Sequence, residues 1–563
     1  MCHGHLDPLV SAARLSTAEA ELEKLASVMP TGEGLRRVAA IDLGTNSTHL
    51  LIASVDPHLR TFQVLLAEKS TTRLGERDSE TGDLSAEAIE RARLALRHCC
   101  DLANSHGVEE ILCVATSAMR EAPNGLDFLA EVERDFGLKA EVVSGPEEAR
   151  LIYLGVLSGM DFAERPHYIL DIGGGSTELI LADARDARAL TSSRVGAVRL
   201  QRDFIRKDPL DPKRVEFLKA FIQGVLEPAV EKVRRRLEPD EAPVLVATSG
   251  TAMAAAALLA VDRPELKGRL HGAEFSRDDL DALVQRVLPL TPEERRALPG
   301  INARRAEIIV PGLLVLQKAM QMVQANRFVI SDRALREGLI IDWMLRQDLI
   351  VDRFVYQGEI RRRTVMHHAH KYGVSSSRAE RIATFALDLW DQTRGSFHQA
   401  PESSRQLLWA AAMLHRCGLR INTSAYHKHS WYLIQNGELL GYNHSEQRVI
   451  ASLARYHRKS LPKKRHDSWM PLTPEEKSLV ERLSLLLRLA VAMDRRPGGA
   501  VKMVMARCSG DKLKLKLQLE PIDVSDDLSL ELWSLQTCAP LIQSAVGISL
   551  SSGLLRSAQP LAV

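Results

Sequence analysis

A short duplication constrains the fold more than any other feature of the sequence. The segment Ile41–Ala53 aligns without a gap with Leu170–Ala182, with six identical positions and four exchanges between isoleucine and leucine. Each copy reads as an apolar strand ending in aspartate, a turn of small residues and a second apolar strand, which predicts a β-hairpin without bulky side chains at its tip. A twofold duplication of this kind predicts two such tips that face a shared cleft.

The predicted tips have the composition of a phosphate site. Consecutive backbone N–H groups in a glycine-rich turn form a concave nest for phosphate oxygens. Asp42 and Asp171 end the first strand of each hairpin, where carboxylates can hold Mg²⁺ directly or through its waters. The alternative is a pair of ordinary hairpins with turn-forming aspartate and glycine. The expected phosphate-binding residues of the tips are Gly44, Thr45, Asn46, Ser47, Gly173, Gly174, Gly175 and Ser176.

The succession of strand-like and helical segments along the chain predicts its domains. Strand-like runs alternate with helical periods from Val38 to about Trp343, including a helix over 85–105, which is the signature of an α/β sheet. Amphipathic helices follow, and the alternating KLKLKLQL near the end predicts a half-exposed strand. The predicted parts are a flexible lead-in with one helix over 16–28 (1–36), two α/β domains (37–168 and 169–346), a helical domain (347–498) and a small α/β domain (499–563).

Charge and cysteine content narrow the function classes. Lys and Arg number 74 against 72 Asp and Glu, a net charge of +2, which argues against nucleic acid or an anionic membrane as the main partner. Apolar runs are interrupted by charge before they reach membrane-spanning length, and the N-terminal residues do not resemble a secretory signal. The seven cysteines include no Cys-x-x-Cys pair, so we expect reduced thiols and a cytoplasmic protein.

Several segments together resemble the exopolyphosphatase and guanosine pentaphosphate phosphohydrolase family of the actin-like ATPase superfamily. The resemblance is dense over 38–343, and the remainder resembles the helical domain of long-form members. It implies two actin-like, ribonuclease H-like domains, a homodimer, and Mg²⁺-dependent hydrolysis of the terminal phosphoanhydride of polyphosphate, with guanosine pentaphosphate as a second substrate. The segments are AAIDLGTNSTHLLIA, RLGERDSETGDLSAEAIERA, VATSAMREAPNG, EVVSGPEEARLIYLGV, YILDIGGGSTELIL, ATSGTAMA, LPGINARRAEIIVPG and ISDRALREGL.

Two adjacent acids are candidates for the catalytic base. Glu147 and Glu148 follow Ser-Gly-Pro, a helix-start signature that places both in a first helical turn. A carboxylate on a rigid helix can orient and deprotonate an attacking water. The resemblance assigns this role to Glu148, whereas the alternative is that both acids only complement the helix dipole.

Three further residues are expected at the site. Glu178 follows the second tip, where a carboxylate beside phosphate needs a metal or water between them, although it could also be a strand residue paired with arginine. Arg120 is expected to grip a terminal phosphate. Thr251 belongs to ATSGTAMA, which the resemblance makes a third ligand loop and which a plain helix cap explains equally well.

The helical domain resembles an HD-type phosphohydrolase with metal ligands His, His-Asp and Asp. The matching positions are Arg378, His415 with Arg416, and Asp494. Because guanidinium groups cannot bind a divalent ion, we expect metal catalysis to be lost there. Its cations are expected to form at most a basic track for polyphosphate, the alternative being scattered solvated charges. They are His427, Lys428, His429, Arg455, His457, Arg458, Lys459, Lys463, Lys464 and Arg465.

The expected mechanism places a phosphate chain between the two tips, with Mg²⁺ near Asp42 and Asp171 and water activated by Glu148. Two other functions are left open by the sequence. One is an ATP-dependent kinase or ATPase with a base pocket near Gly250. The other is a non-catalytic sensor of polyphosphate or guanosine tetraphosphate, which the altered HD positions suggest.

Overall fold

A computed structural model describes residues 34–78, 80–163, 165–263, 266, 268–350, 359–509 and 514–555. The predicted helix over 16–28 lies outside this part of the chain. Within it, no helix combines the length and the apolar character that a membrane crossing requires.

The first α/β domain is built on five strands. They are β1 (Arg36–Leu43), β2 (Thr48–Asp56), β3 (Thr61–Ser70), β4 (Glu110–Ala115) and β5 (Ala140–Val142). The order is β3-β2-β1-β4-β5, with an antiparallel meander of the first three strands and β4 and β5 parallel to β1. The helices are α1 (Ala86–Ser105), α2 (Ser117–Glu121), α3 (Gly125–Phe136) and α4 (Gly145–Leu157). Helix α1 begins where the sequence predicts, because the Ser85 hydroxyl accepts from the N–H of Ala88.

The second α/β domain repeats this plan. Its strands are β6 (His167–Ile172), β7 (Thr177–Ala182), β8 (Ala187–Ser193), β9 (Val244–Thr248), β10 (Glu274–Ser276) and β11 (Arg327–Ile330). Strands β6 to β8 form a meander, and β9 and β11 run parallel to β6, in the order β10-β11-β9-β6-β7-β8. The helices are α5 (Ala197–Phe204), α6 (Pro212–Arg234), α7 (Ser249–Leu259), α8 (Arg277–Val287), α9 (Pro292–Arg296), α10 (Ala303–Ala306), α11 (Ile309–Met322) and α12 (Leu335–Arg346).

Helices α4 and α12 cross in close contact and join the two sheets. A Cβ on Gly155 would lie 1.8 Å from the carbonyl oxygen of Ala334, and a Cβ on Gly338 would lie 1.8 Å from that of Leu151. Glycine at both positions therefore lets the backbones touch. The contact fixes the first turn of α4 beside the hairpins.

The rest of the chain is helical, followed by a small sheet. The helices are α13 (Ile360–Lys371), α14 (Ser376–Thr393), α15 (Ser403–Leu414), α16 (Tyr426–Gln435), α17 (His444–Tyr456), α18 (Pro474–Met493) and α19 (Ser529–Val546). The sheet has the order β12 (Val501–Ser509), β13 (Lys514–Pro521) and β14 (Ser549–Leu554). In β13 the leucines are buried and lysines exposed, as the alternation predicts. Helices and sheet share one apolar core, from Val365 to Ile548. The predicted fold class is confirmed.

The helical region contacts the second α/β domain, where Arg333 pairs with Glu438 at 2.8 Å, and the segment that follows α4. The N–H of Gly441 donates to the carbonyl oxygen of Gly159 at 3.1 Å, and Arg361 pairs with Asp161 at 2.8 Å. Gly159 and Asp161 follow the C-terminal end of the helix that carries Glu148 in its first turn.

Candidate active site

The tips of the two duplicated hairpins lie against each other, as the duplication predicts. A Cβ on Gly174 would come within 3.1 Å of Thr45 Cβ, and one on Gly175 within 2.8 Å of Thr45 Oγ1. Both turns close with the same bond, from the first glycine N–H to the serine carbonyl oxygen, at 3.1 Å for Gly44 and 3.0 Å for Gly173. The repeat in sequence is therefore a repeat in backbone geometry.

A cavity of about 260 Å³ opens beside the tips, between the two α/β domains. All eight predicted tip residues line it, together with Asp42, Asp171 and Glu148. Arg120, Glu178 and Thr251 do not. The other lining residues are His49, Lys69, Thr116, Ser117, Ile152, Ile172, Thr248, Ser249, Gly250, Met253, Arg305, Asp332, Ala334, Leu335 and Arg336.

Three carboxyl groups gather on one side of this cavity. Burial and the neighbouring Glu148 raise the pKa of Asp42 to about 7. Burial and Asp42 raise the pKa of Asp171 to about 7, and burial raises the pKa of Glu148 to about 7 against the opposing effect of Arg120. Because the three groups repel one another when ionised, this side of the cavity favours a bound cation.

The donor set fits Mg²⁺. Asp42 Oδ1 is buried and accepts no hydrogen bond from the described residues. Mg²⁺ prefers carboxylate oxygens and usually retains several waters, so one or two carboxylates with substrate phosphates complete its shell. In the described part of the chain no three His, Cys, Asp or Glu side chains form a complete metal site. Asp42 and Asp171 therefore fit an ion that is shared with water and phosphate rather than one enclosed by protein.

Helix α4 presents Glu148 to the cavity. The Ser144 hydroxyl caps the helix by accepting from the N–H of Glu147, and both acids lie in the first turn, as predicted. The Glu147 carboxylate pairs with Arg150 at 2.7 Å. Glu148 instead pairs with Arg120 Nη1 at 3.2 Å. Only the second acid faces the phosphate tips.

Arg120 lies behind Glu148 rather than in the cavity wall. Its Nη1 also donates to the carbonyl oxygen of Val143 at 2.6 Å. The guanidinium is thus fixed beside the carboxylate, and it holds Glu148 in position. The predicted grip on a terminal phosphate stays a prediction.

Glu178 is buried beneath the site, with 1% of its surface exposed. Ser192 Oγ donates to its Oε1 at 2.7 Å. Burial, with Glu148 and Asp171 nearby, raises its pKa well above the usual value and so favours the protonated carboxyl group. It is therefore not the arginine-paired strand residue considered as the alternative, and its expected role near metal or water stays a prediction.

The third loop, at the start of α7, supports the second hairpin. The hydroxyl groups of Ser249 and Thr251 both donate to the carbonyl oxygen of Ile172, at 2.8 and 3.2 Å. Thr251 is buried, whereas Thr248, Ser249 and Gly250 line the cavity. Phosphate contact by Thr251 stays a prediction.

Sequence reasoning missed the cations of the cavity. Lys69, Arg305 and Arg336 line it. Burial lowers the pKa of His49 most, and the positive charges of these three residues lower it further, to about 3, so that the imidazole is neutral. Arg305 lies over Gly250, where a Cβ would approach its Nη2 to 1.7 Å. Arg305 and Arg336 belong to segments that carry the family resemblance, but nothing in their local pattern separates them from the other arginines.

The HD-like positions hold an ion-pair cluster. Arg378 and Arg381 both pair with Asp494 at 2.9 Å, and His415 is fully buried. Part of the predicted basic track is gathered in space around His427. Burial and the charges of Arg455, Arg458, Lys428 and Lys459 lower the pKa of His427 to about 4. Polyphosphate binding there stays a prediction.

Comparison with known proteins places this geometry in a family. The model described as the Ppx/GppA phosphatase family matches residues 51–347, and that described as Ppx/GppA phosphatase, domain III, matches residues 360–538. The chain belongs to the Ppx/GppA phosphatase family. It is accordingly a phosphoanhydride hydrolase.

Relatives match most of the chain. A guanosine-5'-triphosphate,3'-diphosphate pyrophosphatase of Vibrio parahaemolyticus is 29% identical over 501 residues, 88% of this chain and 94% of that protein. One of the same name from Vibrio vulnificus is 31% identical over 492 residues, 86% of this chain and 92% of that protein. Among solved structures, an exopolyphosphatase of Cytophaga hutchinsonii is 25% identical with a TM-score of 0.51, over 56% of this chain and all of that one. The predicted actin-like fold is confirmed.

Proposed function

We propose that this Ppx/GppA phosphatase hydrolyses the terminal phosphoanhydride of guanosine pentaphosphate, and of inorganic polyphosphate by the same chemistry, with Mg²⁺. The observation that carries the proposal is the convergence of both hairpin tips and Glu148 on one cavity. Two glycine-rich nests side by side suit adjacent phosphate groups, and an acid with a pKa of about 7 suits a general base. Relatives named for guanosine pentaphosphate match nearly the whole chain, which favours that substrate.

Each part of the cavity has one task in this reaction. The tips hold the terminal phosphoryl group, and Lys69, Arg305 and Arg336 offset the charge of the phosphate chain. Asp42 and Asp171 would hold Mg²⁺, which when bound neutralises charge on the phosphate oxygens.

Glu148 carries out the proton transfer. Its carboxylate orients a water whose oxygen forms a bond to the terminal phosphorus. The bond from that phosphorus to the bridging oxygen breaks, and the water proton passes to Glu148. Arg120, at 3.2 Å, holds the carboxylate in place throughout.

The test is phosphate release from guanosine pentaphosphate and from polyphosphate by the purified full chain. Glu148→Gln keeps the shape of the side chain but removes the base, so kcat should fall roughly 10²–10⁴-fold. Glu147→Gln, one residue away and paired with Arg150, is the matched control and should stay near the unmodified rate. Equal rates for Glu148→Gln and the unmodified chain would show that another group accepts the proton.

A further inference from the structure

One carboxylate in the cavity wall stands apart from the acid cluster. The Asp332 side chain is 46% exposed and lines the cavity. Burial raises its pKa, and the charges with the largest opposing effect are those of His271 and Arg333. They and hydrogen bonding to His271 lower the pKa of Asp332 to about 2, so the group is an anion at any physiological pH.

The position of this carboxylate is fixed from behind. His271 Nδ1 lies 2.6 Å from Asp332 Oδ1, and His271 Nε2 lies 3.1 Å from the carbonyl oxygen of Gly159. The adjacent Arg333 is buried and donates to Ser158 Oγ at 3.2 Å. Although the histidine engages Oδ1, the side chain stays 46% exposed, so the carboxylate remains accessible to a ligand.

Asp332 lies on the same sheet edge as the phosphate tips. Strands β6, β9 and β11 are parallel neighbours, and Asp171, Thr248 and Asp332 lie at or just beyond their carboxyl ends. Two strand spacings amount to roughly 10 Å. Ligands of open α/β sheets bind along this edge, so a substrate whose end lies at the tips can reach Asp332 with the part that follows its phosphates.

The chemistry of a carboxylate decides what it can contact there. An ionised carboxylate only accepts hydrogen bonds. Inorganic polyphosphate near neutral pH offers a row of anionic acceptor oxygens, which a fixed anion repels. A nucleoside offers ribose hydroxyl groups and the N–H groups of its base, which such a carboxylate binds well when the contact is enclosed.

We infer that Asp332 is a specificity residue, whose carboxylate accepts a hydrogen bond from the nucleoside part of a nucleotide polyphosphate and disfavours inorganic polyphosphate. His271 acts through it as a positioning residue. The inference rests on the proposed function and goes beyond it, because it assigns the choice between the two substrates to one side chain.

The experiment compares kcat/KM of the full-length enzyme for guanosine pentaphosphate and for polyphosphate. Asp332→Ala should lower the value for the nucleotide by about 10- to 100-fold, since a charged hydrogen bond is lost. The same variant should leave the value for polyphosphate unchanged or raise it, since a like charge is gone. Asp332→Asn keeps an acceptor oxygen without the charge, so its loss on the nucleotide should be smaller.

Two further variants separate specificity from folding. His271→Gln should move the ratio of the two kcat/KM values in the same direction, by less than Asp332→Ala. Asp101→Ala, an exposed acid on α1 outside the cavity, should not move it. An equal fall on both substrates for Asp332→Ala, or an unchanged nucleotide value, overturns the inference while hydrolysis by the unmodified chain upholds the proposed function.

Binding gives the same answer without turnover. The dissociation constant for guanosine tetraphosphate, the product that keeps the nucleoside, should rise about 10-fold or more in Asp332→Ala, whereas that for tripolyphosphate should not rise. If the unmodified chain hydrolyses neither substrate, the proposed function fails, and this comparison of binding still decides the role of Asp332.

Discussion

At the scale of single residues, the carboxyl groups of the cavity hold their protons to unusually high pH. Asp42, Asp171 and Glu148 have pKa values of about 7 in the folded chain, against about 4 in an unfolded one. Between these values the unfolded chain loses protons that the folded chain keeps, so these groups destabilise the metal-free protein as pH rises through this window. Above about pH 7 the penalty levels off. A bound cation reverses it.

The upward shift of these three pKa values predicts how the effect of Mg²⁺ on thermal stability changes with pH. Below pH 7 the ion must displace protons to bind, and above it the carboxylates are already ionised. The rise in Tm on adding Mg²⁺ should therefore be larger one pH unit above the shared pKa of about 7 than one unit below it. Scanning calorimetry at both pH values measures it.

The matched variants are Asp42→Asn with Asp171→Asn, which should remove the Mg²⁺-dependent rise, and Asp101→Asn, which should retain it. A Tm increase that is the same at both pH values would contradict binding at these carboxylates.

At the scale of elements, the crossing of α4 and α12 sets the relation between base and phosphate tips. Gly338 contacts the backbone of α4 at Leu151, and Gly155 contacts that of Ala334. A side chain at either position pushes one helix away from the other. Since Glu148 lies two turns before Gly155, such a shift moves the base away from the tips.

Gly338→Ala should therefore destabilise the protein by about 1–3 kcal/mol through overpacking and lower kcat. Gly224→Ala is the matched control, because Gly224 lies within helix α6 with open space where the Cβ would go. It should stabilise the protein by up to about 1 kcal/mol. Chemical denaturation and phosphate release measure both effects. A neutral Gly338→Ala variant would mean that the helices separate at no cost.

Local pattern predicted the parts of the site that are local. The hairpin tips and the first turn of α4 are continuous segments, so neighbouring residues in the sequence determine their strands, turns and helix cap. Arg305 and Asp332 enter the cavity only because distant strands end at one sheet edge, which one sequence does not reveal. Thr251 and Glu178 lie beneath the cavity wall rather than in it. The alternation of apolar and polar residues does not predict which neighbour covers a side chain, so their burial was not evident from the sequence.

At the scale of the whole molecule, the cations around His427 form a second charged surface, far from the acid cluster in sequence. Lys428 and Lys459 are exposed there, and they act on His427 together with Arg455 and Arg458. Several cations close together engage a long polyanion better than a short one. Their contribution should weaken as salt is added.

Replacing Lys428 and Lys459 together with alanine should raise KM for long polyphosphate several-fold at low salt and little at high salt. The kcat/KM for guanosine pentaphosphate should stay the same. Steady-state kinetics at two ionic strengths measures it, with Lys502→Ala on β12 as the control. An unchanged KM at low salt would leave this cluster without a role in polyphosphate binding.

The apolar core shared by the helical region and the last three strands bears on how the chain can be shortened. Leu389 and Leu486 in the helices belong to the same cluster as Leu515 and Leu535 near the end. A protein truncated before Val501 would keep the cavity between the two α/β domains but expose a large apolar surface to water. We expect such a truncated protein to aggregate and to be degraded by proteases, so it would not serve as a minimal enzyme.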